Sequence, residues 1–121
     1  MRNVLVTGAN GFVGRHLLRL LRASEDMIYG STLRESGKPM VEQDGAVALA
    51  CDITDGRAVR EAVQRVKPQA LYHLAGEASP GKSWVNSVAT YETNVIGTSL
   101  LMEALQEFSP NCKVVLVTSA A

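Results

Sequence analysis

Short apolar runs closed by turn residues alternate with stretches in which apolar residues recur every three or four positions, and that alternation sets the expected architecture. Val4-Leu5-Val6 is too brief for a helix and ends at Thr7-Gly8, so it reads as a buried strand. From Phe12 the positions Phe12, Val13, Leu17, Leu20 and Leu21 form one helical stripe ending near Ala23 and Ser24, with Arg15, Arg19 and Arg22 turned to water. Met27-Ile28-Tyr29 opens a second strand, and the polar stretch 31–45, broken by Gly37 and Pro39, predicts a loop. A third strand covers 46–50. Asp52-Ile53-Thr54-Asp55 then offers capping oxygens to a helix patterned by Val59, Ala62, Val63 and Val66, which Pro68 stops. The pattern continues with a fourth strand over 70–74, a small-residue loop over 75–81 and a long helix from about 84 to 108. Val95, Leu101, Ala104, Leu105 and Phe108 form the expected buried side of that helix. A fifth strand follows over 114–117.

Strands alternating with helices at this spacing pair in parallel through right-handed crossovers, and near-continuous apolar strands suit a sheet covered on both faces. The expected fold is a single α/β domain over 1–121, a Rossmann-like doubly wound parallel sheet of strand order 3-2-1-4-5 that stops after strand five. Composition agrees with one globular domain: 121 residues, 46% hydrophobic and 20% charged, with only 4 Pro. Twelve basic side chains balance twelve acidic ones, so no broad positive field exists to hold nucleic acid or an anionic membrane. No apolar run is long enough to span a bilayer, and Met1-Arg2-Asn3 leads straight into strand one, which reads as cytoplasmic. Cys51 and Cys112 are far apart and without clustered His, so neither a disulfide framework nor a metal site is expected.

The chemistry concentrates after strand one. Thr7-Gly8-Ala9-Asn10-Gly11-Phe12-Val13-Gly14 spaces three glycines between a strand and an amphipathic helix, the context that a dinucleotide fingerprint requires. Gly8 permits the tight turn, Gly11 lets backbone approach a diphosphate, and Gly14 lets helix and strand pack closely. Amides at the helix start then meet the phosphate charge. No Gly-Lys-Ser/Thr follows, which argues against nucleotide hydrolysis of the Walker type. Strand two closes on Ser31-Thr32 where an acid would grip ribose hydroxyls, and Arg34 lies just beyond, able to pair with a 2′-phosphate. NADP is therefore expected over NAD, with Glu35 as the competing feature.

Several of these segments together resemble the extended short-chain dehydrogenases/reductases, the NAD-dependent epimerase/dehydratase family, over essentially the whole chain. Thr7 to Gly14 is similar to that family's TGxxGxxG, Asp52-Ile53 to its acid after strand three, His73-Leu74-Ala75-Gly76 to its HLAA segment, and Asn94-Val95-Ile96-Gly97-Thr98 to NVxGT. Gly81-Lys82-Ser83-Trp84, with Arg34, looks most like the GDP-mannose 4,6-dehydratase and GDP-4-keto-6-deoxymannose reductase branch. The resemblance implies that Asp52 accepts the adenine amino group and Ile53 packs near the base. Leu74, Ala75 and Gly76 would line the coenzyme, Asn94 would anchor by a side-chain hydrogen bond, and Ser83 would face a nucleotide sugar. His73, Trp84, Tyr91 and Met102 are expected to be packing residues.

The same resemblance places Ser119 where the family polarises the substrate oxygen during hydride transfer, with Thr118 packing beside it. The family's proton donor is a tyrosine followed four residues later by lysine. Tyr29, Tyr72 and Tyr91 are followed instead by Leu33, Gly76 and Val95. The expectation is a coenzyme-binding half that does not catalyse alone, either part of a nucleotide-sugar reductase or epimerase or a non-catalytic binding module. Ala120 and Ala121 stand where dehydratases of the family carry acids, which favours reduction or epimerisation. Strand five would form an uncovered apolar edge, so self-association or a homo-oligomer is expected.

Overall fold

The computed structural model describes residues 1–74 and 87–117, with 87–92 described by backbone alone. Five strands, β1 (Asn3–Thr7), β2 (Met27–Thr32), β3 (Val47–Ala50), β4 (Ala70–His73) and β5 (Lys113–Leu116), form one parallel sheet in the order β3-β2-β1-β4-β5. The register sets Val4 beside Ile28 and Ala70, Gly30 beside Ala48, and Leu71 beside Val114. This is the doubly wound order expected from the pattern.

Because successive strand residues point to opposite faces, β1 feeds two cores. Val4 and Val6 join Ala9, Leu18, Ile28 and Val41 under helices α1 (Phe12–Leu21) and α2 (Lys38–Gln43). Leu5 joins Leu49, Val59, Val63, Leu71, Leu101 and Leu105 under α3 (Gly56–Val66) and α4 (Ser87–Phe108). Helix α3 begins and ends for local reasons. Asp55 caps α3 by accepting from the Arg57 and Ala58 amides, and Lys67 closes it in the left-handed conformation at φ 47 just before Pro68. No helix among the described residues is long and apolar enough to cross a membrane.

Four expectations are corrected. The stretch 31–45 is no loop: a 3₁₀ turn at Glu35–Gly37 leads into α2, where Pro39 occupies the first turn. A missing N–H costs nothing there, so proline starts this helix where it was expected to break it. On α1 the buried stripe runs through Gly14 and Leu18, while Phe12 and Leu20 are 81% and 75% exposed. On α4, Leu101, Ala104 and Leu105 are buried, but Val95 faces outward. The arginines of α1 also do more than meet water: Arg15 and Arg19 reach the buried Asp44 carboxylate, at 3.4 and 3.3 Å.

Candidate functional site

A parallel sheet brings the carboxyl ends of its strands to one edge, where β1 leads to α1 on one face and its neighbour β4 is reached through α3 on the other. At the end of β1 the chain turns through Gly8 at φ 65, a conformation glycine adopts without penalty. The Gly11 amide donates to the Gly8 carbonyl at 3.1 Å, and the Ala9 amide ties the loop to Ser31 at the end of β2. Gly14 then sits on the loop itself. A Cβ there would overlap the Gly8 carbonyl and stand 2.8 Å from Ala9 Cα.

This packing aims α1 at the sheet edge with its first turn uncapped. Gly11, the N-cap, supplies no side-chain acceptor, the first turn holds no acid, and the first helical bond runs from the Arg15 amide to the Gly11 carbonyl. The Phe12, Val13 and Gly14 amides are left for an external acceptor, at the positive end of the helix dipole. Phe12 and Val13 therefore act through backbone. The Phe12 ring stacks edge-on against His16 with centroids 4.8 Å apart, and the Val13 side chain packs on the core. An anionic diphosphate fits this cradle.

The second side of the site is the segment after β2. Thr32 is 1% exposed and its hydroxyl donates to the Arg34 carbonyl at 2.7 Å, so it shapes the strand end and has no face for a ligand. Arg34 is exposed and has no ion pair among the described residues. Asn10 lies over Gly37, where a Cβ would come 2.6 Å from its Nδ2.

After β3, Asp52 Oδ1 accepts from both the amide and the hydroxyl of Thr54, at 2.9 and 2.7 Å. These bonds hold its carboxyl below the usual range and leave Oδ2 available to a donor. The Ile53 side chain is buried against Gly97 of α4, so toward a base it offers backbone only. Burial raises the neighbouring Cys51 thiol to about 11.

Between β1 and β4 the Thr7 hydroxyl accepts the Leu74 amide at 3.0 Å and meets His73 Nδ1 at 2.7 Å. Burial lowers the His73 pKa and keeps the ring neutral, in keeping with a packing role. Leu74 buries its side chain and spends its amide on Thr7, which leaves its carbonyl as the group it can present. Asn94 Oδ1 is buried with no hydrogen-bond partner among the described residues. Such an atom costs about 1–3 kcal/mol until a donor arrives, and a ligand hydroxyl or amide would relieve it. Ala75, Gly76, Ser83 and Ser119 lie outside the described residues, as do Trp84 and the Tyr91 side chain. Sequence reasoning did not foresee the contacts that Thr7, Gly37 and Asp44 make. A hydroxyl closing β1 was the available signal for Thr7, while the other two act through partners far away in the chain.

Residues 4–121 match the NAD dependent epimerase/dehydratase family. The chain is 31% identical over 113 residues to dTDP-glucose 4,6-dehydratase 1 of Escherichia coli (strain K12), covering 87% of this chain and 31% of that protein. It is 29% identical to UDP-glucose 4-epimerase 4 of Oryza sativa subsp. japonica, covering 99% of this chain and 35% of that one. The crystal structure of UDP-glucose 4-epimerase from Brucella ovis in complex with NAD superposes with a TM-score of 0.82 at 27% identity, covering 99% of this chain and 36% of that chain. The chain thus spans about a third of the length of these relatives. They are dTDP-glucose and UDP-glucose enzymes, where the motif after β4 pointed to GDP-mannose enzymes.

Proposed function

Because the chain belongs to the NAD dependent epimerase/dehydratase family, we propose that these residues form the dinucleotide-binding portion of a nucleotide-sugar enzyme that takes NADP. The observation that carries the reading is the uncapped first turn of α1, held against the sheet by the Gly8–Gly14 contact. Its amides bind the diphosphate, Asp52 Oδ2 accepts the adenine amino group, and the Asn94 Oδ1 atom takes a donor from the bound molecule. Arg34 pairs with the 2′-phosphate, a charge-assisted contact that NAD cannot make.

The reaction proposed for the whole enzyme is reduction of a 4-keto-6-deoxy sugar carried on GDP. The coenzyme would supply hydride to C4, and Ser119 would donate a hydrogen bond to the carbonyl oxygen. The proton that completes the alcohol comes from a tyrosine outside these residues. Ala120 and Ala121 support reduction over dehydration, since neither side chain can move a proton. Epimerisation with NAD is the second reading, favoured by the NAD complex of the Brucella ovis epimerase.

Fluorescence titration with NADPH and NADH tests the coenzyme: tighter NADPH binding is expected, and equal or tighter NADH binding selects the second reading. Binding of neither overturns both. A turnover assay on the same protein is expected to show coenzyme bound without product. The half-exposed Val115, Leu116 and Val117 at the sheet edge support self-association, for which a monodisperse monomer in scattering at high concentration is the contrary result.

A further inference from the structure

We infer that Asn10 and Gly37 form an interlock that positions the Arg34 segment against the glycine loop, making Gly37 a specificity-positioning residue for the coenzyme. The inference rests on the dinucleotide reading above and deepens it. Gly37 has φ −84 and ψ −14, a conformation open to any L residue. A side chain here is therefore limited by space alone, with the Asn10 amide the neighbour that must swing aside and Thr32 Cβ the fixed one. A Cβ at this position would stand 2.6 Å from Asn10 Nδ2, 3.2 Å from Asn10 Cγ and 3.0 Å from Thr32 Cβ.

The interlock joins the two halves of the site. Asn10 stands between Gly8 and Gly14 in the loop that carries the diphosphate amides. Gly37 ends the turn that follows Arg34, and its amide donates to the Arg34 carbonyl at 3.0 Å, where the Thr32 hydroxyl also donates. The Arg34 backbone is thus held from both sides, by the end of β2 and by the residue over which Asn10 lies. The same segment is fixed to the loop by the Ala9 amide on the Ser31 carbonyl, and to α1 by Asp44 with Arg15 and Arg19. The Asn10 amide serves as packing between the diphosphate loop and the residue that reads the 2′ position.

The test measures NADPH and NADH dissociation constants for the wild-type chain, Gly37→Ala, Asn10→Gly and the double variant. Gly37→Ala is expected to lower the NADPH:NADH preference about tenfold, the scale of one lost charge-assisted contact. The double variant should recover most of that loss, because the new methyl occupies the volume the amide vacates. If Gly37→Ala does not fold, Asn10→Gly carries the test alone, with a preference reduced about threefold for a loosened contact. An equal loss for both coenzymes, absence of rescue in the double variant, or an unchanged preference in Asn10→Gly overturns the interlock while leaving dinucleotide binding intact. A wild-type chain that binds neither coenzyme overturns the dinucleotide reading itself, and the interlock with it.

Discussion

Gly97 of α4 is seated on the side chain of Ile53, with no room for a methyl between them: a Cβ would lie 2.8 Å from Ile53 Cγ1 and closer still to Cδ1. Two segments singled out separately in the sequence, Asp52-Ile53 and Asn94 to Thr98, are thereby one packed unit. The contact sets how α4 crosses the turn after β3, and so where Asn94 is held.

Gly97→Ala tests that unit. Alanine in a helix gains about 1 kcal/mol over glycine, yet overpacking costs about 1–3 kcal/mol, so the variant is expected to lose stability. Adding Ile53→Val should return part of the loss. Urea midpoints of the two variants decide it, and a Gly97→Ala chain more stable than wild type would refute the contact.

Gly14→Ala is expected to act on binding before it acts on folding. The new methyl meets the Gly8 carbonyl and Ala9 Cα, backbone atoms that cannot rotate aside, so α1 must retreat from the loop. Coenzyme affinity should fall by about 2–4 kcal/mol, the loss of two or more charge-assisted amide contacts. Titration with NADPH reads this directly, and wild-type affinity in the variant would remove the cradle from the binding mechanism.

His73 makes stability depend on pH. Its folded pKa lies below the ordinary 6.5 because burial disfavours the charged ring, so between those two values the unfolded chain binds a proton that the native one refuses. The contribution is intact above 6.5 and is lost as pH falls through the lowered value. His73→Asn should flatten the Tm profile below about pH 6.5. An identical slope in the variant would assign the effect elsewhere.

Asp44 is buried while its partners Arg15 and Arg19 remain one-third and one-half exposed. Replacing the acid by alanine is expected to cost about 1–2 kcal/mol, reduced by solvent screening of the arginines. Replacing both arginines strands the carboxylate without its ion pairs and should cost more. Chemical denaturation of the three proteins orders them, and a neutral Asp44→Ala would mean that the pairs only decorate the surface of α2.

The alternation of strands and helices was legible because periodicity is a local property: Val4 to Val6, Val59 to Val66 and 70–74 each reveal their element within a few residues. The phosphate loop was legible for the same reason, since its glycines and the helix they start are contiguous. The relations between segments were not. Pro39 looks like a breaker until its place in the first turn of α2 is known, and Phe12 looks like core until the position of α1 on β1 and β2 is fixed. Glycines at 37 and 97 show nothing of Asn10 or Ile53 in the sequence, because a steric requirement belongs to the neighbour that imposes it. Asp44 is one polar residue among many until the sheet brings the arginines of α1 across it.

Cys51, at the exit of β3, holds its sulfur as a neutral thiol raised to about 11 by burial, with Asp52 and Asp55 adding to the effect. Thiolate is the reactive form toward disulfides and alkylating agents, so attack on this sulfur waits for β3 to come away from its packing. The residue is in effect a stopwatch sealed inside the domain: the pace at which a trapping reagent consumes it reports how often that margin of the sheet breathes, and a bound coenzyme that braces the neighbouring turn would slow the count.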